Sequence, residues 1–183
     1  PPPPHHPPPT HSTGHNMNIR ILTEKDVNEF KQLRLKGLKV EPNAFGSTYE
    51  NESNFNLEIF KSRLKPSDFR FIVGGFCEGK LVCIASFTRE SGQKTKHKSF
   101  LSGVYCEKEY RGTGIAKDVV GFILQKARNL EGLEIINLKV VSENLRAKNF
   151  YKAYGFKKYG TELKSLFDGT KYYNQDLMYL ELN

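Results

Sequence analysis

The chain has 183 residues, 38% hydrophobic and 12% aromatic, which is enough to bury one sizeable core and excludes a largely disordered protein. Its formal net charge of +8 favours anionic partners through long-range attraction, although the Lys and Arg residues are scattered along the chain. No run approaches the roughly 18 apolar residues of a membrane span, and no leader with an apolar centre is present, so we expect no membrane partner and a cytoplasmic location.

The first sixteen residues differ in composition from the rest. Residues 1–16 hold seven of the nine prolines and no Lys, Arg, Asp or Glu, so they lack the side chains that build a core. We expect them to form a disordered leader added for expression. Residues 17–183 are then expected to form a single domain.

Neither the histidines nor the cysteines predict a metal site. The leader histidines, whose spacing is irregular, are His5, His6, His11 and His15. The three cysteines, which are odd in number and lie in apolar segments without metal-ligand spacing, are Cys77, Cys83 and Cys106. We interpret them as reduced core residues of a cytoplasmic protein and expect no bound metal.

The first part of the domain predicts one strand followed by two helices. In chain order, the predicted elements are a strand at 18–22, a helix that Thr23 and Asp26 cap and Pro42 ends, a loop at 41–54, and a short helix at 56–65. Apolar residues recur every three or four positions in both helices, so each helix is expected to bury one side.

The remainder alternates strands with two more helices. The predicted strands lie at 69–77, 80–89, 97–107, 134–141, 156–167 and 172–182, and the helices begin near 115 and 145. Glu78 and Gly79 read as a hairpin turn between the first two of these strands. No internal repeat is evident.

A glycine-rich turn opens the helix near residue 115. The sequence Tyr110-Arg-Gly-Thr-Gly-Ile-Ala116 places Gly112 and Gly114 where the chain leaves a strand and enters a helix. Glycine permits a tight turn and a close approach of a ligand to the main chain. The free N–H groups and the dipole of the helix start then favour an anion such as a pyrophosphate. By itself, such a turn is equally compatible with a plain strand-to-helix connection.

A second motif follows at residues 138–156. A short strand leads there into a helix in which Asn144, Ala147 and Tyr151 share one face, being three and seven positions apart. Asn144 alone could be an ordinary N-cap, and Tyr151 alone could be an ordinary core aromatic.

Together, the two motifs resemble those of the GNAT superfamily of acyl-CoA-dependent N-acetyltransferases. The family pattern is Arg/Gln-x-x-Gly-x-Gly/Ala, here Arg111 to Ala116, followed by Asn-x-x-Ala-x-x-x-Tyr-x-x-x-Gly-Phe, here Asn144 to Phe156. The resemblance implies a mixed α/β fold whose central sheet has about seven mostly antiparallel strands, flanked by four helices. It also implies acetyl-CoA as the acetyl donor and direct transfer to a primary amine in a ternary complex.

The resemblance assigns roles to individual residues. The residues it places against the cofactor are Tyr105, Cys106, Arg111, Gly112, Thr113, Gly114, Ile115, Ala116, Asn144 and Ala147. Within this set, the main-chain amides after Tyr110 hold the pyrophosphate and the Cys106 amide binds the acetyl oxygen. Outside it, Tyr151 acts as the general acid. Glu107 is the candidate base, working through a water. Some relatives carry a glutamate where this chain has Lys139, which is a departure from their mechanism, and Glu50, Glu90 and Asp176 are further candidates for the base.

The acceptor is expected to contact the loop between the first two helices and the last two strands. The candidate substrate residues are Phe45, Tyr49, Glu50 and Tyr173. Such aromatic and acidic side chains suit a cationic amine, and the aromatic ones are equally compatible with a hydrophobic plug. A small-molecule or peptide amine is the expected partner, and a homodimer is possible.

Two other functions compete with catalysis. A non-catalytic acyl-CoA-binding regulatory module would keep the glycine turn without a base. A nucleic-acid-binding protein would use the positive charge, but the chain has no zinc-finger or RNP signature, so we expect no nucleic-acid partner.

Overall fold

The computed structural model describes residues 16–183, so residues 1–15 of the predicted leader lie outside the described part of the chain. Its strands are β1 Met17–Ile21, β2 Arg70–Cys77, β3 Lys80–Arg89, β4 Lys98–Cys106, β5 Ile135–Val141, β6 Lys157–Phe167 and β7 Tyr172–Glu181. Its α-helices are α1 Val27–Val40, α2 Tyr49–Ser53, α3 Leu57–Ser62, α4 Ile115–Arg128 and α5 Leu145–Lys152.

The seven strands form one mixed sheet in the order β1-β2-β3-β4-β5-β7-β6. β4 and β5 run parallel, whereas the other neighbouring strands are antiparallel. The predicted α/β fold with a mostly antiparallel sheet is therefore confirmed.

One helix was missed by the sequence pattern. α2 lies inside the segment predicted as a loop at 41–54, so five α-helices flank the sheet instead of four. Its five residues have no apolar periodicity, and a polar cap stabilises its start: the Thr48 side chain accepts a hydrogen bond from the Asn51 N–H.

The helices pack on both faces of the sheet. On one face, α4 buries Val119, Ile123 and Ala127 against the strands. On the other face, α1 and α3 bury Phe30 and Phe60, whose rings meet edge to face at 6.4 Å. Both faces of the sheet are therefore covered, as the amphipathic helices predict.

The sheet opens between β4 and β5. Their pairing covers only Lys98–Phe100 opposite Ile135–Asn137, and the two strands then separate. A bulge in β4 accompanies the separation, because its register with β3 shifts between Ile84 and Ser86. Gly103 lies in this bulge with φ 59°, a conformation that other residues rarely adopt.

A buried carboxylate ties α5 to the strands beside this opening. Asp176 on β7 is 1% exposed and accepts a hydrogen bond of 2.6 Å from Ser142 Oγ, just after β5. Its second oxygen lies 2.7 Å from Lys148 Nζ on α5. Burial alone would raise the pKa of Asp176, but the contacts from Lys148 and Ser142 lower that pKa from 3.8 to about 2. Asp176 therefore remains a carboxylate and fixes the position of α5.

Candidate active site

The gap between β4 and β5 widens into a cleft of about 800 Å³. Its walls come from these two strands, from α5, from the turn after α1 and from the second half of β6. The predicted site residues that line the cleft are Phe45, Tyr105, Cys106, Arg111, Ala116, Asn144, Ala147 and Tyr151. The fold thus brings the two sequence motifs together on opposite sides of one cavity.

The glycine turn lies at one end of this cleft and carries main-chain donors without acceptors. Within residues 16–183, we find no acceptor for the N–H groups of Gly112, Gly114, Ala116 or Lys117. Gly112 and Gly114 have φ values of 79° and 87°, and a Cβ added at either would meet nothing within 4 Å. The turn is therefore open to a ligand, and its amides join the positive end of the α4 dipole.

Not every residue of the motif contributes in the same way. The Ile115 side chain is buried in the core beneath α4, so only its main chain is near the turn. Thr113 stabilises the turn itself, since its hydroxyl donates to the Tyr110 carbonyl and accepts from the Ile115 N–H. The side chains of Ile115 and Thr113 are thus structural.

Two arginines converge on one carboxylate at the same end of the cleft. Glu41, just after α1, accepts hydrogen bonds from Arg111 and from Arg146 at the start of α5. Desolvation, followed by repulsion from Arg146, lowers the pKa of Arg111. One negative charge between two positive ones leaves this end of the cleft attractive to anions.

The Cys106 amide faces the gap. Glu107 N–H donates to Val82 carbonyl at 2.9 Å, which makes Val82 and Glu107 a hydrogen-bonded pair of the antiparallel β3–β4 ladder. The next pair, Cys83 and Cys106, is then a non-hydrogen-bonded pair, so the Cys106 N–H points away from β3. β5 has already separated from β4 at this point, and the amide is available to a bound oxygen.

Tyr151 lies on the last turn of α5 and lines the opposite wall. Its ring packs edge to face against Phe150 and Phe156, and within residues 16–183 no group hydrogen-bonds its hydroxyl. Desolvation and the nearby Cys83 thiol raise the pKa of Tyr151 well above its ordinary value of 10. The phenol is therefore protonated at neutral pH and can donate a proton into the cleft.

Asn144 caps the helix that carries Tyr151. Its side chain accepts a hydrogen bond of 3.1 Å from the Ala147 N–H, which satisfies one of the free donors at the start of α5. The small side chain of Ala147 keeps the cleft open beside it.

Glu107 does not fit the role of a base. It is 4% exposed, lies outside the cleft lining, and is held by Lys36 Nζ at 3.1 Å and Lys80 Nζ at 3.5 Å. Its side chain alternates with that of Cys106 and so faces the α1 side of the sheet. Asp176, Glu50 and Glu90 also lie outside the lining.

Three of the four predicted substrate residues also lie away from the cleft. Tyr49 packs beneath Lys39 at the start of α2, and Glu50 is exposed on that helix. Tyr173 donates its hydroxyl to Asp168 at 3.0 Å in the turn between β6 and β7. Phe45 alone of the four lines the cleft, and the last two strands contribute Glu162, Ser165, Leu166 and Gln175 to the lining but not Tyr173.

The cleft contains charged residues that the motifs did not indicate. They are Arg34, Glu41, Lys139, Arg146 and Glu162. Lys139 and Glu162 pair with each other at 3.0 Å, which lowers the pKa of Glu162. A signal for one of the others exists: Arg34 interrupts the buried stripe of α1 formed by Val27, Phe30 and Gly37.

Within residues 16–183, no cluster of three or more His, Cys, Asp or Glu side chains could hold a metal ion. No helix in this part of the chain is long and apolar enough to cross a membrane.

Comparison with known proteins relates both the sequence and the fold to acetyltransferases. A family model described as "Acetyltransferase (GNAT) family" matches residues 37–156, more than half of the chain. Among proteins of curated function, none matches this sequence.

Several solved structures share the fold at low sequence identity. A GNAT-family acetyltransferase from Streptococcus pneumoniae has a TM-score of 0.77 and 20% identity, covering 91% of this chain and 99% of that one. An N-acetyltransferase from Staphylococcus aureus Mu50 has a TM-score of 0.76 and 16% identity, and the match covers 92% of this chain and 99% of that one. A protein from Salmonella typhimurium, solved with its cofactor acetyl-CoA, has a TM-score of 0.73 and 16% identity, and the match covers 91% of this chain and 94% of that one.

Proposed function

This chain belongs to the GNAT family of acetyltransferases, and we propose that it moves an acetyl group from acetyl-CoA to a primary amine by direct transfer in a ternary complex. The observation that carries the proposal is Tyr151: a protonated phenol without a hydrogen-bond partner among residues 16–183, in the same cleft as the free Cys106 amide. A proton donor facing a main-chain N–H across a cavity suits acyl transfer.

The residues at the glycine turn fit the phosphates of the donor. The free amides of Gly112, Gly114, Ala116 and Lys117 would hold the pyrophosphate, since no Cβ fills the space in front of the two glycines. Arg111 and Arg146 add positive charge beside them, in part neutralised by Glu41. We therefore place the cofactor at this end of the cleft.

Different residues of the chain would then carry out different steps of the reaction. Bound acetyl-CoA would supply the acetyl group, so that the amine nitrogen forms an N–C bond as the C–S bond breaks and the sulfur leaves as a thiolate. The Cys106 N–H would stabilise the negative charge on the acetyl oxygen. Tyr151 would protonate the departing sulfur, and the proton lost by the amine would return to the phenolate through water.

Detecting CoA thiol across a panel of amines separates this function from simple binding. An acetyltransferase releases one thiol for each amine acetylated, above the rate of thioester hydrolysis without amine. A non-catalytic acyl-CoA-binding module would bind acetyl-CoA and release none. That second result, with every amine in the panel, would rule out the enzyme.

The pH dependence of turnover follows from the groups in the cleft. Glu162 is held by Lys139 and is a weak proton acceptor, so the amine must arrive neutral. We expect kcat/KM to rise with pH until the amine is deprotonated, and not to fall again below pH 10, because the pKa of Tyr151 lies above that value. A pH series of thiol release checks this, and a descending limb below pH 10 would contradict the assignment of the acid.

A further inference from the structure

We propose that the acceptor carries a carboxylate close to its amine, as amino acids do, and that Arg34 binds this carboxylate. The inference rests on the proposed function and concerns the acceptor end of the same cleft. It replaces the cationic acceptor that the sequence predicted, because Tyr49, Glu50 and Tyr173 lie outside the cleft.

Arg34 is held in one orientation by a buried carboxylate. Its Nε and Nη2 donate to the two oxygens of Glu52 at 3.1 and 2.9 Å, and Glu52 is 1% exposed. A bidentate pair of this kind fixes the plane of the guanidinium. The third nitrogen, Nη1, has no hydrogen-bond partner within residues 16–183.

The structure around Nη1 leaves room for a ligand. The guanidinium carbon of Arg34 lies 4.5 Å from the centre of the Phe45 ring, so the ring supports one side of it. Nη1 lies only 3.1 Å from the position a Cβ of residue 103 would take, so that Gly103 keeps the space beside it free. Arg34, Phe45 and Gly103 all line the cleft.

The positive charge of Arg34 is not cancelled by its partner. Glu52 also accepts from Arg63 Nη1 at 2.8 Å, so two arginines share a single negative charge. Burial alone would raise the pKa of Glu52, but the hydrogen bonds from Arg34 and Arg63 lower it to about 2. The group thus carries a net positive charge, and its open side is the Nη1 that faces the cleft. An anion hydrogen-bonded to Nη1 would balance the remaining positive charge of this group.

This anion site is separate from the cofactor end. Arg34 lies in the middle of α1 and precedes Glu41, which directly follows the helix, by seven residues, or about 10 Å along a helix axis. Glu41 is the residue that joins Arg111 and Arg146 beside the glycine turn. Arg34 therefore lies at a different point along the cleft from Arg111 and Arg146, the two arginines assigned to the phosphates.

The spacing along β4 limits the size of the acceptor. Gly103, beside Nη1, precedes Cys106 by three residues, which is at most about 10 Å along a strand. An acceptor whose anion lies at Arg34 then has its amine a few bonds away, near the Cys106 amide. Free amino acids and very short peptides meet this condition.

The test compares L-amino acids with their carboxamides, which keep the amine and lose the carboxylate. We expect the wild-type protein to acetylate at least one amino acid with a higher kcat/KM than its carboxamide. In Arg34→Gln, kcat/KM for that amino acid should fall about 10- to 100-fold, with the carboxamide changed by less than about threefold. The affinity for acetyl-CoA should not change.

Arg63→Gln is the matched control. Arg63 holds the same carboxylate but does not line the cleft, so each variant leaves Glu52 with one arginine, and only Arg34→Gln alters the cavity. The control should keep the wild-type preference for the acid.

Four results would overturn the inference. Arg34→Gln could lower turnover of acid and carboxamide equally, which would mean that Arg34 only stabilises the packing of α1 against α2 and does not bind the acceptor. The wild-type protein could acetylate carboxamides as well as acids, a comparison that requires no variant. Failure of every amine to release thiol would remove the proposed function and this inference together, whereas acetylation only of amines without a carboxylate would remove the inference alone.

Discussion

Tyr151→Phe should lower kcat about 100- to 10,000-fold, the range of a lost general acid. The dissociation constant of acetyl-CoA should stay within about twofold, since the ring that packs against Phe150 and Phe156 is retained and only the hydroxyl is removed. Steady-state thiol release measures the first quantity, and calorimetric titration with acetyl-CoA measures the second.

Tyr154→Phe is the control on the same segment. The Tyr154 hydroxyl donates to the Lys117 carbonyl and lies outside the cleft lining, so its removal should leave kcat nearly unchanged. Unchanged turnover in Tyr151→Phe would show that another group, or water, protonates the sulfur.

Asp176→Asn should lower the free energy of unfolding by about 3–5 kcal/mol. Asn cannot neutralise Lys148, which is 16% exposed and would lose its charged partner 2.7 Å away. Chemical denaturation measures the loss. Asp68→Asn is the control, because the Asp68 side chain is 72% exposed and lies 3.8 Å from Lys126 Nζ, a surface pair of little weight.

The same variant should change the acid response of the protein. The pKa of Asp176 is lowered on folding, so its contribution to stability is present above pH 3.8 and is lost as pH falls towards about 2. Asp176→Asn should therefore show a shallower decline in stability over this interval. A slope equal to that of the wild-type protein would mean that Asp176 is not held as a carboxylate.

Much of the fold could be predicted because each long element carries its own periodicity. The apolar rows of α4 predict its buried face, and the apolar runs of β2 and β3 predict strands that are buried along most of their length. α2 could not be predicted in this way, since its five residues are stabilised by the Thr48 cap and by ion pairs from Glu52 to Arg34 and Arg63. The ion pairs join residues 18 and 11 positions apart, which only the folded chain brings together.

The site, like the fold, has a part that local motifs predict and a part that depends on the folded chain. Arg111 to Ala116 and Asn144 to Tyr151 are contiguous motifs, and the structure places members of both at one cleft. The acceptor end of the cleft depends instead on the bulge at Gly103 and on where β6 crosses the cavity. No local sequence pattern predicts either feature. Tyr173 was assigned to the site from its strand alone, but it lies near the start of β7 and its hydroxyl donates to Asp168 in the turn instead of facing the cleft.

The amide NMR spectrum of the labelled protein during titration with acetyl-CoA tests the central claim most directly. If the start of α4 binds the pyrophosphate, the N–H resonances of Gly112, Gly114, Ala116 and Lys117 should show the largest shifts, because a charged acceptor would replace water at each. Saturable binding that leaves these four resonances in place and shifts others would contradict the account, as would no binding at all.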